Sequence, residues 1–279
     1  MDEHVLTQEM IEEFREYLIL EEKSAATVEK YIRDVRAFSV FMGNVAVTKE
    51  GMMKYKKELV DRKYAICSIN SMLASLNSML DFLGWSECKV KHIKQQRITY
   101  CTEEKELTKG EYLRLLHAAD NRPQLHLILE TICSTGIRIS ELRFFTVEAA
   151  RDGVVNVSCK NKNRTILLPG KLRRKLMDYA KKKRIFSGAI FITRNGNPLN
   201  RSNIWAQMKS LCEAAGVAAS KVFPHNLRKL FARTFYNIEK DIAKLADILG
   251  HSSIDTTRIY IMTTSGEHRK KIERLGLVV

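Results

Sequence analysis

The first ninety residues contain no proline and carry four stretches of apolar residues at helical spacing. That combination admits little besides a helix bundle, because nothing breaks the 3.6-residue period and each stretch must bury its stripe against a neighbour. Thr7 is placed to cap a first helix to about Leu20, with Ile11, Phe14 and Leu18 on one stripe. Ser24 or Thr27 opens a second, carrying Val28, Tyr31, Ile32, Val35, Phe38 and Phe41. Thr48 opens a third through Met52, Met53, Tyr55 and Leu59, and a fourth runs from about Ile66 until Gly84 stops it. We expect residues 1–94 to form a four-helix domain.

All four prolines lie at position 123 or beyond. Residues 95–106 break the periodicity and read as a linker. Thr108, with Glu111 at capping-box spacing, starts a second region, expected to span 107–279. Its pattern predicts a helix from about Gln124 to Ser134 and a turn at Thr135–Leu142 into another helix. Further helices are expected at about 170–183, 202–215, 224–237 and 241–249. The one convincing β signal is a pair of runs, 153–159 and 165–168, flanking Lys160-Asn161-Lys162-Asn163-Arg164, which reads as a hairpin with a basic five-residue turn, and Phe191-Ile192 reads as a further short strand. The fold class expected is mainly α, with a small antiparallel sheet in the second domain.

Charge says what such a fold would meet. The net charge is +15. Basic and acidic residues balance over 1–99, so the excess lies in 100–279. A polyanion is the partner this favours, and double-stranded DNA is the natural one. In the first domain Ser24, Thr27, Lys30 and Ser71 mix bases with short polar side chains that let a helix approach a sugar-phosphate backbone, or that simply form a solvated face. Lys94 and Arg97 place two more bases at the linker. The six cysteines are scattered without a CxxC pair, which argues for reduced thiols and against a zinc site. With no signal-like opening and no apolar run of about 18 residues, a cytoplasmic protein with no membrane partner is expected.

Candidate chemistry lies in separate segments. His225 and Arg228 follow Pro224, which suits the first turn of a helix, so both sit near its positive end. Arg138 follows a glycine at a turn, Lys160 lies at the hairpin, and His251 precedes Tyr260 across Ser252-Ser253. In-line attack on a phosphodiester builds charge on two non-bridging oxygens, which guanidinium forks bind well. A tyrosine hydroxyl, titrating ordinarily near 10, needs an acceptor for its proton and positive surroundings. The leaving oxygen needs a proton donor, which an ammonium supplies. The scheme calls for no metal or other cofactor. Spacing alone does not join these segments, and each residue has an ordinary surface or core reading.

Resemblance joins them. Thr135-Gly136-Ile137-Arg138-Ile139-Ser140-Glu141-Leu142, His225-Asn226-Leu227-Arg228, and Leu249-Gly250-His251 followed nine residues later by Tyr260 resemble, in order, the boxes of the tyrosine recombinase (phage integrase, Xer-like) family. Lys23–Thr27 through Tyr31 and Phe38 resembles the family's core-binding, SAM-like domain, and Glu106-Leu107-Thr108 the start of its catalytic domain, of the DNA breaking-rejoining fold. The resemblance implies that Arg138 and Arg228 clamp the scissile phosphate, Lys160 protonates the leaving group, and His225 assists proton transfer. It implies further that His251 hydrogen-bonds the phosphate and that Tyr260 forms a 3′-phosphotyrosyl bond. Two departures stand out: Lys229 replaces a second histidine, and the hairpin turn is about one residue short, which makes Lys162 a competitor to Lys160.

The resemblance also implies a homotetramer on paired core sites, an exchanged C-terminal tail, and a role in integration or excision of a mobile element or in resolving replicon dimers. A type IB topoisomerase and a catalytically inactive DNA-binding regulator are the rival readings.

Overall fold

The computed structural model describes residues 4–95, 103–159, 162–262 and 265–276. The chain separates into two compact units, 1–97 and 98–279. Lys160, Arg97 and most of the expected linker lie outside the described residues.

The first unit is a bundle of α1 (Gln8–Leu20), α2 (Ala25–Met42), α3 (Lys49–Asp61) and α4 (Ile66–Phe82). Thr7 and Thr48 cap α1 and α3 by accepting from Met10 N and Gly51 N, and Ser24 is the first residue before α2. The stripes meet as their spacing predicts: α2 packs on α4 and α1, with Phe14, Phe38, Leu73, Leu76 and Met79 fully enclosed. Each such side chain contributes about 1.5–3 kcal/mol by leaving water. Among the described residues of this unit Asp34 is the buried charge, and it is paired: Lys30 Nζ lies 2.8 Å from it, and the buried Ser75 Oγ donates to it at 3.0 Å. At the bundle's end His4, Glu87 and Cys88 bring their ligand-type atoms within 4.8 Å of one another. Those atoms already serve one another and the backbone: His4 Nε2 bonds Glu87 at 2.9 Å, and the Cys88 thiol donates to Val47 O at 3.4 Å.

The second unit holds α5 (Lys109–Ala118), α6 (Pro123–Thr135), α7 (Val147–Asp152), β1 (Val154–Cys159), β2 (Lys162–Leu167) and α8 (Gly170–Lys183). After these come α9 (Arg201–Lys209), α10 (Cys212–Ala215), α11 (Pro224–Glu239), α12 (Ile242–Leu249), α13 (Ile254–Ile261) and α14 (Ser265–Glu273). α6 runs through the core, with Leu125, Leu127, Ile128, Leu129 and Ile132 buried, and packs against α8 and α11. The capping box of Thr108 and Glu111 is formed at the start of α5. Among the described residues no helix is long and apolar enough to cross a membrane.

The expected turn at Thr135–Leu142 into another helix takes the form of a 3-10 helix, Ile139–Phe144, followed by the short α7. Two local expectations need correction. Residues 202–215 break into α9 and α10 at Ser210-Leu211. β2 begins at Lys162, paired with Cys159, so three of the five residues expected in the turn, Lys162, Asn163 and Arg164, belong to the strand. Lysine and asparagine have low strand propensity, so the polar run reads as a turn, but ladder pairing and the burial of Arg164 carry β2 through it.

Candidate active site

Arg138 precedes the 3-10 turn, directly after α6 has been stopped by Gly136 in the left-handed conformation at φ +64°. Glu141, 1% exposed, folds back to accept from Arg138 N at 2.7 Å and Arg138 Nη1 at 3.1 Å. The rest of the Arg138 fork is turned outward, reaching Gly250 O at 3.3 Å, with the side chain 45% exposed.

Arg228 lies in the first turns of α11, opened by Pro224, and is 1% exposed. Its fork donates to Gly136 O, to Leu249 O at 2.6 Å, and to His251 Nε2 at 2.9 Å. Among the described residues its Nε is buried without a partner. Burial first, and then Arg138, pull its pKa down to about 10, and it remains a cation near neutrality. A guanidinium only donates, so His251 Nε2 accepts. Nδ1 therefore carries the imidazole proton and donates to the buried Thr257 Oγ1 at 2.8 Å.

Tyr260, 7% exposed, packs in a small cluster with Ala232, Leu245 and Leu249. Its ring meets those of His225 and His251, both with centroids 4.9 Å away. Its hydroxyl stands 3.4 Å from His225 Nδ1, and the Arg228 guanidinium carbon 5.8 Å from the ring centre. Burial, then Arg228, Lys229 and Arg138, hold the His225 pKa below the usual imidazole range, so the ring is neutral and able to accept a proton near pH 7. Arg138, Glu141, Gly250 and His251 border an open cleft of about 990 Å³.

The structure therefore gathers five of the six candidate residues, from segments up to 122 positions apart (Arg138 to Tyr260), at one place. Lys160 is outside the described residues. Lys229, in place of the second histidine, is turned to the buried Glu106 at 2.9 Å. In the first unit Ser24 Oγ and Thr27 Oγ1 are 2.8 Å apart, and Lys30 Nζ donates to Ser71 O at 2.5 Å. With Asp34 as its ion partner as well, Lys30 is in part an internal group. Lys94 is exposed.

Arg164 and Thr257 were not singled out in the sequence. Arg164, on β2, is 11% exposed and bonds Glu141 Oε2 and Ile248 O, both at 2.5 Å. Its signal is register: Ile166 and Val155 pair on the buried face, and Arg164 sits one repeat along, opposite Val157. Thr257 stands three residues before Tyr260, on a helix face that sequence alone leaves polar.

Two predictions arise here. In Gly136→Ala the new Cβ would overlap the Phe231 ring and lie 3.0 Å from Leu249 Cδ2, at a φ that L residues avoid. Roughly 2–4 kcal/mol of stability should be lost, read by denaturant unfolding. The second concerns His251, whose pKa is pushed from 6.5 to about 4 by burial and then by Arg228, Arg138 and Arg164. Between those two values the unfolded chain binds a proton that the folded chain refuses, so stability is full above pH 6.5 and falls towards pH 4. Unfolding curves across that interval should show His251→Gln losing less stability than the parent chain.

Comparison with known proteins gives the family and the fold. The profile of the Phage integrase family matches residues 105–267, and that of the phage integrase N-terminal SAM-like domain matches residues 11–87. The chain is 28% identical, over 294 aligned residues, to the tyrosine recombinase XerA of Pyrococcus furiosus, covering 100% of this chain and 98% of the relative. Its fold is similar to that of a lambda integrase tetramer bound to a Holliday junction, at TM-score 0.73 and 18% identity over 93% of this chain and 78% of that one. It is also similar to the XerH recombinase bound to its difH substrate before cleavage, at TM-score 0.70 and 16% identity over 100% of this chain and 91% of that one. The chain belongs to the phage integrase family.

Proposed function

We propose that this chain is a site-specific DNA recombinase that cuts and rejoins strands through a 3′-phosphotyrosyl bond at Tyr260. Membership of the family supports DNA strand transfer as the reaction class. The observation that carries the residue assignment is the convergence of His225, Arg228, His251 and Tyr260 in mutual contact beside Arg138, with Arg138 and His251 bordering the open cleft.

In this reading the Tyr260 oxygen attacks phosphorus and the bond from phosphorus to the 5′-oxygen breaks. The phenolic proton passes to His225 Nδ1, already the nearest acceptor. Arg138 and Arg228 stabilise the charge on the two non-bridging oxygens, with His251 beside them. Lys160 gives the 5′-oxygen its proton, and Lys162 is its competitor for that role. The new phosphotyrosyl bond replaces the broken diester, so attack by a 5′-hydroxyl from the second duplex reverses the step without ATP. Arg228 is almost wholly enclosed, and its Nε, without a partner among the described residues, offers one more donor.

The DNA in this reading is a pair of core sites held by four copies of the chain, with Ser24, Thr27, Lys30, Ser71, Lys94 and Arg97 as backbone contacts from the first unit. The reading extends to integration or excision, or to resolution of replicon dimers, in the cytoplasm. Two differently labelled duplexes carrying a site from the DNA beside the gene should yield exchanged, full-length products. Relaxation of site-free plasmids with no exchange would instead mark a topoisomerase.

A further inference from the structure

We infer that Arg164 is a positioning residue for the general acid, tying strand β2 of the hairpin to the two segments proposed to hold the phosphate. The inference rests on the reading that a hairpin lysine protonates the leaving oxygen. Arg164 lies two residues into β2 and four from Lys160 in sequence. One arm of its fork meets Glu141, the carboxylate that also holds Arg138 in place. The other meets Ile248 O, near the end of α12 and three residues before His251. The approach is close: a Cβ on Gly250 would stand 2.8 Å from Arg164 Cδ, so the glycine leaves room for the arginine stem. One guanidinium thus joins the hairpin to the Arg138 turn and to the His251 turn.

Its position suits holding. The side chain is 11% exposed, and its charge faces a carboxylate that is itself 1% exposed. Val155, Val157 and Ile166 anchor the hairpin by burial, and Arg164 extends that anchorage as a polar tie towards the turn. Proton transfer needs the donor within hydrogen-bond reach of the leaving oxygen, about 2.6–3.2 Å. A misplacement of about 1 Å costs on the order of 100-fold in rate. Lysine at this position keeps the charge but has no planar fork to reach both Glu141 and Ile248 O.

The test uses a leaving group that needs no acid. In a cleavage substrate whose bridging 5′-oxygen at the scissile phosphate is replaced by sulfur, the P–S bond breaks and the thiolate departs without taking up a proton. Single-turnover cleavage by the full chain is compared on the ordinary and sulfur substrates for wild type, Arg164→Ala, Arg164→Lys and Lys160→Ala. The expected result is a loss of about 100-fold for Arg164→Ala on the ordinary substrate and recovery to within a few-fold of wild type on sulfur. Arg164→Lys, the variant better able to fold, should show a smaller loss with the same recovery, and Lys160→Ala a loss that also recovers. If both Arg164 variants cut the ordinary substrate at the wild-type rate, or remain slow on sulfur while Lys160→Ala recovers, the positioning role is overturned. Recovery by the Arg164 variants but not by Lys160→Ala upholds the role and moves the acid to Lys162. Recovery by none of them overturns the role together with the hairpin-acid reading.

Discussion

Arg228→Ala is expected to lose about 3–5 kcal/mol of stability and on the order of 10²–10³-fold in cleavage rate. The two losses have separate causes. The guanidinium is enclosed, and its fork serves two backbone carbonyls and a histidine nitrogen. Alanine leaves Gly136 O and Leu249 O without that donor and opens a void beside Tyr260. Each buried acceptor left unmatched costs about 1–3 kcal/mol. The rate loss follows from removing half of the proposed phosphate clamp. Arg138→Ala separates the effects, because that side chain is 45% exposed and Glu141 keeps Arg164 as an ion partner. It should change stability by only about 1 kcal/mol and still lose cleavage to a similar degree. Denaturant unfolding and single-turnover cleavage on the same samples check both. Equal stability losses in the two variants would contradict the structural part of the account.

The first unit was legible because its four stripes are long and uninterrupted, and a polar N-terminal residue marks the start of α1, α2 and α3. In the second unit the long helices were legible for the same reason. α11 starts at the proline that predicts it, and Asp241 and Ser253 cap α12 and α13. The hairpin turn was not legible. Lys162, Asn163 and Arg164 look like a turn by composition, and only pairing with β1 makes them strand. Arg164 escaped notice for that reason, since its partner Glu141 is 23 positions away in the chain.

At the site, the residue types could be read and their meeting could not. No local pattern brings His225 to Tyr260 across 35 positions; the packing of α13 on α11 does so. That packing also alters the first impression of Tyr260. It is a core tyrosine and a candidate nucleophile at once, with its ring in an apolar cluster and its hydroxyl at the edge facing an imidazole. The polarity of the Arg228–His251 contact belongs to the same class of fact: a fork that only donates fixes which nitrogen of His251 carries the proton.

Tyr260→Phe carries the largest predicted effect, because it removes the atom proposed to form the covalent bond while leaving the fold nearly untouched. The ring contacts are kept, and the hydroxyl has one long hydrogen bond, 3.4 Å to His225, so stability should change by no more than about 1 kcal/mol. The decisive measurement uses a duplex carrying the recombination site with a nick just 3′ of the scissile phosphate. The short fragment released on cleavage diffuses away and the covalent complex accumulates. The account predicts a denaturation-resistant protein–DNA adduct for the wild-type chain, attached at the peptide containing Tyr260, and none for Tyr260→Phe bound to the same DNA. An adduct formed by Tyr260→Phe, or a wild-type adduct attached at any other residue, would contradict it.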